Sequence, residues 1–232
     1  MSFSNVNRCE RGSFIRAAVF VGALFFCFGC EKNVIRQAAV KTVTNEFAAT
    51  AKPQVVSPIV AAARQQIGVT TVYDPAYVGL SYPGGDVQKE RGVCTDVVIR
   101  ALRKGAAMDL QKLVHEDMRV AFNSYPKNWG LKKTDKNIDH RRVPNLRRFF
   151  ERRQFEVKPS EGSTAYQPGD FVTCPVGNRP HIMIVSDRKS ADGTPLIIHN
   201  IGSGTKEENR LFEFELTGHY RLPGKTKPTK RD

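Results

Sequence analysis

The sequence predicts an α+β domain, and three observations carry that prediction. Apolar residues recur at helical spacing in segments before residue 151. From residue 170 the apolar pattern changes to the alternation of strands. The helices come first and the strands follow as a run, the order expected of helices packed on an antiparallel sheet.

Each element has its own signals. Ser57 followed by Pro58 reads as an N-cap and first helical residue, with a helix through IVAAARQQI that stops at Gly68. Residues 69–92 hold Pro75, Gly79, Pro83, Gly84, Gly85 and Gly92 and read as a long loop. Its Tyr73, Tyr77 and Tyr82 either line a cleft or pack the loop. Gly92-Val93-Cys94 opens a helix, CTDVVIRALRK, whose apolar face is Val97, Val98, Ala101 and Leu102 and whose stop is Gly105. Asp109 caps a third helix, LQKLVHEDMRVAF, with Leu110, Leu113, Val114 and Ala121 inward and His115 on the surface. A basic loop from Trp129 to Arg142 leads to a helix started by Pro144, carrying Leu146, Phe149 and Phe150. Strands are expected at 170–176, 181–187, 195–201 and 211–216, with Asp192-Gly193 as a turn. His219 is expected at a sheet edge, as a structural residue or a cleft residue, and 223–232 reads as a basic tail.

The chain has 232 residues, 40% of them hydrophobic, which suits one domain with additional segments and excludes a polytopic membrane protein. Five cysteines are too few for a disulfide scaffold, and no two CxxC pairs exist for a zinc ribbon. The formal charge of +13 favours a polyanion: nucleic acid, anionic lipid or cell wall. Six arginines between 141 and 153 lack the interleaved stacking aromatics of a nucleic-acid surface, so no nucleic acid is expected.

Arg8, Arg11 and Arg16 precede an uncharged run from Ala17 to Cys30. That run is 14 residues long, short of the roughly 20 that span a bilayer, and reads as an export signal over 1–30. Cys30 after Phe28-Gly29 resembles the acylated cysteine of a lipoprotein signal; a secreted protein or a retained short anchor are the alternatives. Residues 31–57 then form a tether. Cleavage before Cys30 removes Arg8, Arg11, Arg16 and Glu10, so the basic character belongs to the remainder. Glu31 favours the outer membrane, and the protein is expected to be periplasmic.

Chemistry concentrates on three residues. Cys94 opens a helix, where the dipole and free N–H groups are expected to lower a thiol pKa. His181 opens one strand and His199 ends the next, so neighbouring antiparallel strands would bring both imidazoles together. A nucleophile, a base and an orienting group are the parts of a thiol hydrolase. Cys174 is the rival: after cleavage at Cys30, only Cys94 and Cys174 remain to pair as a disulfide. Neither a resident metal nor a cofactor is expected, although Cys94, His181 and His199 are a conceivable zinc set.

The order of these features resembles the NlpC-type cell-wall cysteine peptidases, which are papain-like α+β enzymes. The resemblance runs over 58–222. Gly68 and Tyr73 match the entry, Cys94 the nucleophile, Pro168-Gly169-Asp170 the turn before a strand, His181-Ile182-Met183-Ile184-Val185 the base and its strand, and His199 the third residue. More closely, GVCTDVVIRA, IDHRRVPNL, YQPGD, HNIG and GHYR resemble a bacterial family of exported proteins within that superfamily. Where NlpC-type enzymes read Asp-Cys-Ser-Gly, this chain has Val93-Cys94-Thr95-Asp96.

The resemblance implies cleavage of an amide bond in peptidoglycan peptides by Cys94, His181 and His199, with Tyr73 aiding the oxyanion. Asp96 then either complements the helix dipole or binds a substrate amino group. From its charge density alone, the run Asp139-His140-Arg141-Arg142, with Asp139 and Arg141 as the candidates, either grips a substrate carboxylate through a bidentate Arg or is a solvated turn before the Pro144 helix. Peptidoglycan and, through an N-terminal lipid, the membrane are the expected partners. The alternative is an inactive envelope lipoprotein of the same fold that binds peptidoglycan or a partner.

Overall fold

The computed structural model of the chain describes residues 56–223. The signal read at 1–30 with Cys30, the tether up to residue 55 and the tail from residue 224 lie outside the described residues.

Helix α1 spans Pro58–Arg64. Ser57 makes no side-chain cap; only its carbonyl enters the helix, accepting from the Ala61 N–H at 2.9 Å. The helix stops earlier than Gly68 because its next bonds tighten to i→i+3, as in Gln66 N–H to Ala63 O at 3.0 Å. Gln66 then turns inward, its Nε2 donating to Val97 O at 2.9 Å.

Helix α2 runs Cys94–Ala106 and ends on Ala107, which has φ +54. Gly105 is therefore not the stop but a packing residue. A Cβ there would lie 2.6 Å from Pro58 O and from Ile59 N and Cα, so α1 crosses α2 on bare backbone. Helix α3, Leu110–Ala121, has the expected cap: Asp109 Oδ1 accepts from Gln111 N–H at 3.2 Å. His115 is half-buried, with its ring 5.3 Å from Tyr82 in an edge contact, rather than on the surface. Helix α4 spans Val143–Arg152 after a 3-10 turn at Asp139–Arg141. That turn is buried, so the solvated alternative for Asp139 and Arg141 is excluded.

Two short strands, β1 (Val72–Tyr73) and β2 (Arg91–Gly92), pair in parallel and close the long loop on itself. The main sheet holds β3 (Glu156–Val157), β4 (Phe171–Val176), β5 (Arg179–Lys189), β6 (Pro195–Asn200), β7 (Thr205–Glu208) and β8 (Gly218–Tyr220). Its order is β3-β8-β4-β5-β6-β7, and all neighbours are antiparallel. The expected α+β class with helices and an antiparallel sheet is what the chain forms.

Period-two alternation divides the sheet into two buried faces. Phe171, Ile182, Ile184, Ile198 and Tyr220 pack with Val97, Val98, Leu102, Leu146, Phe149 and Phe150 in the main core. Val172, Cys174, Met183, Val185 and Ile197 pack with Tyr166, Leu211, Phe214 and Leu216 on the other side. The expected strand at 211–216 is a turn-rich segment that covers this second face. Its apolar residues serve as a lid for the sheet and pair with no strand. Position 219 is not at an edge: β8 lies between β3 and β4, and His219 is fully buried, Nε2 2.7 Å from Asp170 Oδ2 and stacked on Tyr166 at 4.6 Å.

Gly105→Ala tests the helix crossing. Helix propensity alone would stabilise by roughly 1 kcal/mol. The backbone contact predicts the opposite sign, a loss of about 1–3 kcal/mol from overpacking, read as a lowered midpoint in urea denaturation.

Candidate active site

The loop of residues 69–92 and the start of α2 are built together. Gly92 packs against the helix: a Cβ there would lie 3.0 Å from Asp96 Cβ. Val93 is the N-cap, and Asp96 Oδ2 accepts its backbone N–H at 2.7 Å, the acidic half of a capping box. The same carboxylate forms a bidentate pair with Arg141, Nε to Oδ1 and Nη2 to Oδ2, both 2.9 Å. Both side chains are 2% exposed. Arg141 goes on to donate to Ala76 O at 3.0 Å and Asp74 O at 3.3 Å, so it fastens the loop to the helix start. Asp96 and Arg141 thus satisfy each other, and Asp139 lies behind them, its backbone carbonyl accepting from Asn145 Nδ2 at 3.0 Å.

Cys94 occupies the first turn of α2 and is 4% exposed. Burial pushes its thiol up to about 12, against the opposing pull of N–H groups from Ile182, Thr95 and Cys94 itself. The expected lowering at a helix start does not occur, because desolvation of a thiolate outweighs the donors aimed at it. The Ile182 N–H at the sulfur sets Cys94 beside the His181–Ile182 peptide. Cys94 and Cys174 are both free, so the disulfide alternative is not formed; Cys174 lies in the second core cluster, opposite His181 in register.

His181 and His199 do come together. His181 Nε2 is 2.8 Å from His199 Nδ1, with rings 5.0 Å apart and nearly perpendicular. His199 Nε2 in turn lies 3.3 Å from Glu208 Oε2. Burial lowers both imidazoles, His181 to about 3, so each is neutral at physiological pH. The proton positions follow from the acceptor end. A Glu208 carboxylate can only accept, so His199 carries its proton on Nε2. Its Nδ1 then accepts from His181 Nε2–H, which leaves His181 Nδ1 as an unprotonated base.

Asn200 joins the histidine strand to the start of the helix that Cys94 opens, donating from Nδ2 to Gly92 O at 3.0 Å. Tyr73 is half-buried and shares a groove of about 200 Å³ with Cys94, Pro75, Trp129, Arg142 and Pro180. Burial raises its phenol, with the Cys94 sulfur adding to the shift. Among the described residues, no group of three or more His, Cys, Asp or Glu side chains is placed to hold a metal ion. No helix among them is long and apolar enough to cross a membrane.

Sequence reasoning missed Glu208, Asn200 and Trp129 as site residues, and it took Arg142 only as part of the charged run from Asp139. Asn200 adjoins His199 and could have been included with it. Glu208 lies in TKEE, which has no apolar alternation to mark it as a strand.

The family described as Domain of unknown function (DUF1287) matches residues 60–222. The uncharacterized protein YijF of Escherichia coli (strain K12) is 58% identical over 160 residues, covering 68% of this chain and 78% of that protein.

The buried imidazoles make stability pH-dependent. His140, lowered to about 4 by burial, joins His181 and His199 in staying neutral in the fold while protonating near 6.5 once unfolded. Asp139 opposes them, since burial raises it from 3.8 to about 6. Between pH 6.5 and 4 the unfolded chain gains more protons than the folded one, so stability is full above that window and falls on acidification. The urea midpoint is expected to drop from pH 7 to pH 5, and His140→Gln to flatten that slope. An unchanged slope in the variant would contradict the assignment.

Proposed function

The chain belongs to the DUF1287 family, and we propose that it is an exported thiol hydrolase of the papain-like NlpC type, cutting an amide bond in peptidoglycan peptides. The observation that carries this reading is the relay from Glu208 through His199 to His181, whose neighbour Ile182 brings its backbone N–H to the sulfur of a cysteine at a helix start.

The thiol and imidazole are neutral at rest, so the proton moves during attack. Cys94 Sγ bonds to the amide carbon as its proton passes to His181 Nδ1. The carbonyl oxygen becomes an oxyanion, stabilised by the Cys94 backbone N–H and the Tyr73 hydroxyl. The intermediate collapses, the C–N bond breaks, and His181 gives its proton to the departing amine. Water then attacks the thioester, losing a proton to His181; the acid leaves and the thiol is restored. His199, held by Glu208, keeps His181 in the required tautomer. The site lies in a protein anchored by a lipid on Cys30 at the periplasmic face of the envelope, with the outer membrane favoured.

One observation favours a second reading. A thiol pushed up to about 12 is inert at rest, as suits a protein of the same fold that binds peptidoglycan without cutting it. A digest of purified sacculi separates the two. Full-length protein in mild detergent is expected to release new fragments by mass spectrometry, whose masses name the bond. Cys94→Ala is expected to release none, and His181→Ala to lower the rate by about 10²- to 10⁴-fold. Equal digestion by wild type and Cys94→Ala would sink the mechanism; no fragments from reduced wild type would favour binding.

A further inference from the structure

Arg141 and Arg142 are consecutive, yet their surroundings differ. Arg141 is saturated by Asp96 and two loop carbonyls. Arg142 Nη1 is buried and has no hydrogen-bond partner among the described residues. Its ion pair with Asp139 is loose, Nη1 to Oδ1 at 3.9 Å, and its side chain is 17% exposed. The guanidinium instead lies over the indole of Trp129, 4.0 Å from the ring centroid. Arg142 and Trp129 both line the groove that holds Cys94.

We infer that Arg142 receives a substrate carboxylate in this groove, so the site takes peptides with a free carboxylate close to the scissile amide. The inference rests on the hydrolase reading above and names its substrate class. A guanidinium at a largely apolar wall, formed by Tyr73, Pro75, Val143 and Pro180, keeps its charge at a desolvation cost. Burial accordingly lowers its basicity. A planar carboxylate arriving from the groove offers two oxygens to the N–H fork and offsets that cost. Stacking on Trp129 holds the fork in one plane beforehand, which limits the entropy lost on binding. Arg141, the residue the sequence marked for this task, is excluded from it by its own partner.

Trp129 is the sole tryptophan of the chain, so its emission reports on this groove. The test uses full-length Cys94→Ala protein titrated with N-acetyl-alanyl-alanine as the free acid and as the C-terminal amide. The acid is expected to bind at least tenfold more tightly than the amide. Arg142→Gln is expected to bring the acid down to the amide's affinity, and Arg142→Lys, which keeps the cation without the fork, to fall between. Equal affinity for acid and amide, no saturation by the acid, or an unchanged preference in Arg142→Gln would overturn the inference. No turnover is needed, so the two readings fail separately. A carboxylate preference in a protein that cuts nothing leaves the subsite without the hydrolase. Cutting that depends on Cys94 without such a preference leaves the hydrolase without the subsite.

Discussion

The buried pair between Asp96 and Arg141 is the constraint on which the candidate site depends. One carboxylate does two jobs, capping α2 at Val93 and neutralising a guanidinium that also holds two loop carbonyls. The pair is 2% exposed on both sides, so neither charge has water to fall back on. Loss of one partner from such a pair costs about 3–5 kcal/mol, chiefly from the charge left behind. Here that cost would fall on the residues flanking Cys94. The position of the thiol thus depends on electrostatics two residues away as well as on its own contact with the Ile182 N–H.

The sheet supplies the second half of the arrangement. Antiparallel pairing of β5 with β6 puts His181 and His199 on one face, and the return of β7 brings Glu208 to the far ring nitrogen of His199. Three strands in sequence thereby make a directional chain of proton donors and acceptors. Asn200, at the end of β6, ties that chain to Gly92 and so to the helix start. Cys94 and the two histidines therefore sit on different layers of the fold but share a common anchor.

Much of this was legible in the sequence because it rests on local signals. Asp109 capped its helix, Phe149 and Phe150 went to the core, and β4, β5 and β6 followed from their apolar alternation. The three candidate residues Cys94, His181 and His199 were marked by their places at element ends. The rest depended on tertiary contacts. β7 is polar throughout, and β8 is three residues long and starts with a glycine, so neither carried a pattern. The 211–216 run alternates well, yet its apolar residues cover a sheet face. Gly105 looked like a stop and is a crossing point. The thiol shift was misjudged because a helix start is visible in sequence and the depth of burial is not.

Arg100 of α2 shows how the remainder of the 69–92 loop is held. Its guanidinium donates to Asp86 and Thr70 and to the carbonyl oxygens of Val87, Gln88, Lys89 and Arg91. Every residue type carries a carbonyl, so positions 87–89 and 91 are held through atoms that substitution does not alter. The side chains at 87–89 are free to drift while the path of the backbone stays the same, and the information for that path is stored on a different element; Arg91 alone of the four also pairs through its side chain, with Asp74. A loop that looks unconstrained residue by residue can then deliver Gly92 and Cys94 to the same place, so long as one arginine on the neighbouring helix persists.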